Sequence, residues 1–235
     1  MIRNFLLPKN SDKHPYIHKR IKNESPVIIE VGAHFGVDTS LMLELYKNPS
    51  IYCFEPDPRN IEIFNKKVKN KAVKFFPFAV ANAEKENVPF FQASSEATNK
   101  MLEKYSWINK EDFIRKKLAR SSASSLKKGH EAVKNANEIL VNTITLDTWD
   151  LEYKLPVIDL LWIDVQGAER EVLEGAKELL LKTRFVWIEY GEIEYDGGMD
   201  LADTHKQLGK NFSLATKGSY FRKKGDALFK NKKIK

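Results

Sequence analysis

The stretch Val27-Ile28-Ile29-Glu30-Val31-Gly32-Ala33-His34-Phe35-Gly36 decides the fold. Five residues, four of them aliphatic and β-branched, form a short apolar run that ends in a turn carrying two glycines. Such a run bounded by glycine predicts a buried strand. Val37, Leu41 and Leu45 then fall at helical spacing and predict a helix over 37–47. A strand that feeds a helix through a glycine turn opens a βαβ unit. Glycine there lets the backbone bend tightly and approach a ligand that a Cβ would push away, and the helix N-terminus faces that ligand.

The same alternation continues outward. Ile51–Phe54 predicts a second strand, and 58–70 a helix with Asp57 as N-cap and Pro58 as its first residue. Val73–Phe78 predicts a third strand. Val88–Phe91 and Ile139–Ile144 predict strand pieces flanking a long polar, helix-rich insertion over about 93–137. Val157–Ile163 predicts a buried strand ending at Asp164, and Ala168–Leu181 one helix. Phe185–Glu189 and Asp226–Phe229 predict the last strands. This order implies one α/β domain over 1–235, Rossmann-like, with a mostly parallel sheet covered by helices on both faces. Ligands of such sheets sit at the carboxyl ends of the strands. Glu30 to Gly36, Glu55, Ala79 to Asn82, Asp164 and Glu189 all fall there.

Composition agrees with a folded domain. Of 235 residues, 42% are hydrophobic, enough for a core and too many for a disordered chain. No run approaches the ~20 apolar residues of a membrane helix. Near the start, Phe5-Leu6-Leu7 is closed by Pro8 and charge, so no signal peptide is expected. Cys53 is the single cysteine; it lies in an apolar run and is expected to be inert core in a reducing, cytoplasmic setting. The net charge of +7 is uneven: ten Lys/Arg face four Asp/Glu between Lys100 and Asn137, and eight face one Asp from Lys217 to Lys235. The remainder is therefore acidic. Basic segments attract polyanions or simply solvate exposed helices.

The glycine turn narrows the ligand. His34 stands where the dinucleotide fingerprint wants its second glycine, which weighs against NAD. An acid, Glu30, followed by a wider G-x-x-x-G turn resembles the first motif of class I S-adenosylmethionine-dependent methyltransferases. Glu55, about twenty residues on, is placed to accept both ribose hydroxyls of an adenosyl group; the alternative, an acid serving the following helix dipole, is filled better by Asp57. The small residues Ala79-Val80-Ala81 leave room for adenine, with Asn82 or backbone amides reading its edge.

Trp162-Ile163-Asp164-Val165-Gln166-Gly167-Ala168-Glu169, continuing to Ala176, adds several motifs in order. Together with the glycine loop, Phe54-Glu55-Pro56, Thr145-Leu146-Asp147 and Val186-Trp187-Ile188-Glu189, it resembles the FkbM-type methyltransferase family from about Val27 to Glu189. The resemblance implies a class I methyltransferase fold, S-adenosylmethionine as methyl donor and O-methylation of sugar or polyketide hydroxyls. It places Gly32, Ala33 and Gly36 against the methionine part, Glu55 against ribose, and Asp164 beside the transferred methyl. The family's usual residues are Asn at the position of His34 and Glu at that of Gln166.

Methyl transfer to a hydroxyl asks mainly for alignment and proton removal. Asp164 is the candidate base or donor contact, with helix capping as its alternative. His34 is a second candidate base, or an aromatic lid. Glu189 could pair with Asp164 around an oxygen-binding cation, although no metal is expected. Glu169 is expected to face solvent. His14 and His18 are four apart but lack a third ligand. Ser121-Ser122-Ala123-Ser124-Ser125 and the aromatics Tyr105 and Trp107 suit a hydroxyl-rich ring, so the insertion is the expected acceptor cover, with Trp107, Ser124 and Ser125 as acceptor residues. The expected acceptor is a small molecule, a sugar. Competing classes are a nucleic-acid methyltransferase, suggested by the basic segments, a non-catalytic nucleotide-binding module, and an NAD-linked oxidoreductase.

Overall fold

A computed structural model describes residues 13–129, 133, 136–191, 195–217 and 224–234. In chain order its elements are α1 (Lys13–Ile21), β1 (Val27–Val31), α2 (Val37–Leu45), β2 (Ser50–Phe54), α3 (Pro58–Lys67), β3 (Val73–Phe76), β4 (Ala79–Val80), β5 (Lys85–Gln92), α4 (Asn99–Lys104), α5 (Lys110–Arg115), β6 (Asn137–Ile144), α6 (Leu146–Tyr153), β7 (Ile158–Ile163), α7 (Glu169–Glu174), α8 (Lys177–Leu181), β8 (Thr183–Gly191), α9 (Leu201–Leu208), β9 (Phe212–Lys217) and β10 (Lys224–Asn231). The segment Phe5-Leu6-Leu7 lies outside the described residues, as does part of the basic stretch beginning at Lys217.

The main sheet has seven strands in the order β3-β2-β1-β7-β8-β10-β9. β1, β2, β3, β7 and β8 are mutually parallel, whereas β10 runs antiparallel to both neighbours. From β1 the chain steps outward to β3 and returns on the other side of β1 as β7. That reversal opens a crevice at the carboxyl ends of β1 and β7, the topological switch point of such sheets. Alternate residues of β1 and β7 feed two cores, as strands covered on both faces require. Ile29, Val31, Leu161 and Ile163 pack toward α6, α7 and α8. Ile28, Leu160, Trp162 and the buried Cys53 pack toward α1 and α2.

Pro77 corrects the third expected strand. Lacking an N–H, proline cannot continue a ladder, so β3 ends at Phe76 and the chain restarts as β4 in a second sheet of order β4-β6-β5. There β5 and β6, the strands flanking the insertion, pair antiparallel with Phe90 opposite Ile139. The helix expected over 168–181 is two helices, broken at Gly175-Ala176. Asp147 uses the break: its carboxylate accepts from Glu178 N at 3.1 Å and Leu179 N at 2.9 Å, capping α8. The insertion folds back on the ligand end, where Ile108, Phe113 and Leu118 pack on Phe35 and on Ile63 of α3. Among the described residues no helix is long and apolar enough to cross a membrane.

Candidate functional site

A cavity of about 340 Å³ opens at the carboxyl ends of β1, β2 and β7, roofed by the insertion. Its floor is the glycine turn. Gly32 has φ +91°, and a Cβ there would lie 1.9 Å from the carbonyl oxygen of Asp164. Only glycine lets the ends of β1 and β7 come this close. The amides of Gly32 and Ala33 both donate to Phe54 O, at 2.9 and 3.0 Å, which ties the turn to the end of β2.

Glu55 lines the cavity from the end of β2 and is buried. Its Oε2 accepts from the amide of His34 at 2.9 Å. Its Oε1 accepts from Asp57 N at 2.9 Å and Asn60 Nδ2 at 3.1 Å. A carboxylate offers about four acceptor sites, so one is left, on Oε2. Accepting two ribose hydroxyls, as expected of Glu55, would need one acceptor site more than these bonds leave. Burial, and then the neighbouring Asp57 carboxylate, raise its pKa to about 7. Asp57 caps α3 as expected, accepting from Arg59 N at 3.0 Å.

His34 has φ +48°, a backbone state that Asn and His tolerate better than most residues. This explains why His can stand where the resembled family has Asn. Its ring stacks on Phe35 and its Nε2 is hydrogen-bonded to Ser121 Oγ at 2.8 Å. Burial and nearby Lys104 lower its pKa to about 3. So reluctant a ring is a poor proton acceptor at neutral pH; its bonds tether the insertion to the glycine turn.

Asp164 lines the cavity from the end of β7. Gln166 Nε2 donates both to Asp164 Oδ1 at 2.5 Å and to Glu189 Oε2 at 2.6 Å. Burial and the adjacent Asp164 carboxylate push Glu189 strongly upward, so it keeps its proton and also hydrogen-bonds Asp164. The two acids therefore meet as expected, joined through the Gln166 amide. Among the described residues no group of three or more His, Cys, Asp or Glu is arranged to hold a metal ion.

Other expected residues fall elsewhere. Glu30 is buried under the turn, accepting from Thr39 Oγ1 at 2.6 Å, and burial raises its pKa to about 8. Ala33 and Gly36 shape the turn from behind rather than line the cavity, and neither Ala81 nor Asn82 lines it. Asn82 Nδ2 instead donates to Glu174 Oε2 at 2.9 Å. Glu169 corrects its solvent-facing expectation: it is buried and accepts from Val165 N and Gly167 N, neutralising amides that the turn before α7 leaves free. His14 bonds Asp38 at 2.8 Å and His18 packs on Tyr46, so the two histidines serve different partners. Trp107 is not in the cavity wall; it packs edge-on to Phe35 under Lys67 Nζ. Ser124 Oγ lines the wall and accepts from Ala93 N at 3.0 Å, whereas Ser125 Oγ is turned to Gln166 O at 2.6 Å. Tyr105, Ser121, Lys104 and Asp38 also line the wall. The sequence signalled Asp38 only as an acid in a first helical turn.

A model of the family described as "Methyltransferase FkbM domain" matches residues 30–214. The chain is 30% identical over 190 residues to 2-O-methyltransferase NoeI of Sinorhizobium fredii, an alignment covering 80% of this chain and 73% of that protein. Among solved structures it is similar to an rRNA methylase from Streptococcus thermophilus, at 9% identity, with 94% of each chain covered and a TM-score of 0.50. A putative rRNA methylase from Clostridium thermocellum gives 9% identity, the same coverage and a TM-score of 0.49. At such identities the likeness concerns the fold alone.

Proposed function

The chain belongs to the FkbM methyltransferase family, and from that premise we propose that it O-methylates a hydroxyl of a carbohydrate or similar small molecule. Its methyl donor is S-adenosylmethionine. The cavity fits that donor: its volume lies in the range of about 300–1,000 Å³ typical of small-molecule sites, and it combines a turn with no room for a side chain, a buried carboxylate and an apolar wall of Phe54, Phe78, Ala79 and Val80. Glu55 would hold the ribose, the apolar wall the adenine and Asp38 the ammonium end, with Asp164 beside the transferred methyl. When bound, the donor supplies a methyl carbon already activated by a sulfonium sulfur.

The chain's own residues must then align the acceptor and remove its proton. Asp164, held by the Gln166 amide at the cavity wall, is the group placed to receive the hydroxyl proton. The observation that carries this reading is an acid at the cavity wall, at the end of β7, held in place by the Gln166 amide. His34 and Ser121 tether the roof that excludes water. Tyr105 offers the roof a ring face for a sugar, and Ser122 and Ser124 offer hydroxyls.

NoeI, by its name a 2-O-methyltransferase, supports a hydroxyl acceptor. Against a nucleic-acid acceptor, several cations of the insertion are already paired: Arg115 with Asp112, Lys116 with Glu62 and Lys127 with Glu171. Incubation with methyl-labelled donor and a panel of mono- and oligosaccharides, at low and moderate salt, tests the reading. Label in a sugar, little changed by salt, supports it. Label transferred only to RNA, with the steep salt dependence of phosphate contacts, would replace it.

A further inference from the structure

We propose that His14 is a positioning residue for the methyl donor: from α1 it holds the Asp38 carboxylate at the place where the donor's α-ammonium binds. The proposal rests on Asp38 as the ammonium partner. It extends the donor site to a helix that precedes residues 30–214, the part matching the family. His14 is buried, and its Nε2 stands 2.8 Å from Asp38 Oδ1. A carboxylate only accepts, so the ring must present a hydrogen on Nε2 to hold it. The plane of that ring is fixed as well. It stacks on Trp162 of β7, with centroids 4.9 Å apart and an interplanar angle of 16°. Trp162 is itself buried, two residues before Asp164.

The helix α1 is anchored for this task. His14, Ile17 and Ile21 are its buried residues, and their spacing puts them on one helical face. The two isoleucines pack in one cluster with Met42 and Tyr46, and His18 adds an edge-on contact to Tyr46. The imidazole is therefore held from its helix and from its face. Asp38 sits in the first turn of α2 and lines the cavity. An acid there has the unpaired amides of the helix start as rival partners. His14 gives it a partner in the conformation that lines the cavity.

The charges suit a cationic ligand. Burial raises the Asp38 pKa, but the contacts with His14 and Lys13 outweigh it and hold the acid below its ordinary range. Glu30, by contrast, keeps its proton to about 8, through burial and then the Asp38 charge. The negative charge here is thus carried by Asp38 rather than Glu30. An ammonium group already stands beside it: Lys13 Nζ lies 3.7 Å from Asp38 Oδ1. That pair is loose and partly exposed, the kind that contributes little, and a bound ammonium can replace it.

Calorimetric titration with two ligands tests the proposal: S-adenosylhomocysteine, and 5′-methylthioadenosine, which has the adenosyl group but no amino-acid end. His14→Phe keeps a ring for Trp162 and loses the hydrogen bond, whereas His14→Gln loses the ring and keeps a donor. His14→Phe should bind S-adenosylhomocysteine roughly fivefold more weakly or worse, with 5′-methylthioadenosine affinity changed less than about twofold. His14→Gln should bind S-adenosylhomocysteine more tightly than His14→Phe does. Added to Asp38→Asn, His14→Phe should cause no further loss, because it acts through that acid. Equal losses for both ligands, a phenylalanine variant that outbinds the glutamine one, or additive losses in the double variant overturn the positioning role. Normal S-adenosylhomocysteine binding by His14→Phe, while Asp38→Asn binds weakly, also overturns it and leaves Asp38 at the ammonium. Unchanged binding by Asp38→Asn overturns both.

Discussion

The backbone amide of His34 donates to Glu55 Oε2 at 2.9 Å, so the turn after β1 and the acid at the end of β2 form one unit. The same carboxylate also receives Asp57 N and Asn60 Nδ2. One acceptor site remains, on Oε2, for the ribose proposed to bind here.

Glu55→Gln should therefore weaken donor binding by roughly tenfold or more, since a bond to a charged acceptor contributes about 1.5–3 kcal/mol. Calorimetric titration with S-adenosylhomocysteine measures it. In the unaltered protein the same affinity should fall as pH drops below about 7, because Glu55 takes up a proton there and loses acceptor capacity. PH-independent binding would remove Glu55 from the ribose.

Gly32→Ala should be severe, because φ +91° and a contact of 1.9 Å with Asp164 O oppose it together. The backbone strain alone costs about 1–3 kcal/mol. Gly209→Ala is the control: its φ is +77°, but nothing lies within 4 Å. Thermal unfolding should show a much larger loss of Tm for Gly32→Ala, accompanied by lost donor binding.

The fold was largely legible because buried parallel strands write themselves as apolar runs. β1 matches its expected bounds Val27–Val31, and Asp57-Pro58 marked the start of α3. What escaped was set by distant contacts. The α1 helix reads as polar, and is held by His14 stacking on Trp162 and bonding Asp38. The solvent-facing expectation for Glu169 failed because helical periodicity does not reveal amides left free by the preceding turn. Gly32, Glu55 and Asp164, picked out from their places at strand ends, all line the cavity. Tyr105 and Trp107 are two residues apart in the insertion, and no local pattern says which ring enters the cavity.

That distinction can be measured. Tyr105→Ala should raise the acceptor's KM several-fold, because Tyr105 is in the cavity wall. Trp107→Ala, packed outside against Phe35, should change it less than twofold. The reverse ranking would return the acceptor to Trp107.

Stability should fall as pH rises from 6.5 to 8. Burial holds protons on Glu30 to about 8 and on Glu55 and Glu169 to about 7. The unfolded chain releases those protons near 4.5, so raising pH favours unfolding until each folded pKa is passed. His34 acts oppositely, but only below its ordinary 6.5. Thermal unfolding across this window should show a declining Tm, and Glu30→Gln should flatten the decline. A rising Tm would contradict the burial of these acids.

Single-turnover methyl transfer by Asp164→Asn, with donor affinity measured on the same preparation, tests the proposed chemistry most directly. Asparagine keeps the shape and can still bond Gln166, but it cannot take the acceptor's proton. The expected result is a rate reduced about 10²-fold or more, with S-adenosylhomocysteine affinity and Tm nearly unchanged. A near-normal rate would contradict Asp164 as the base and leave it only a structural place at the end of β7.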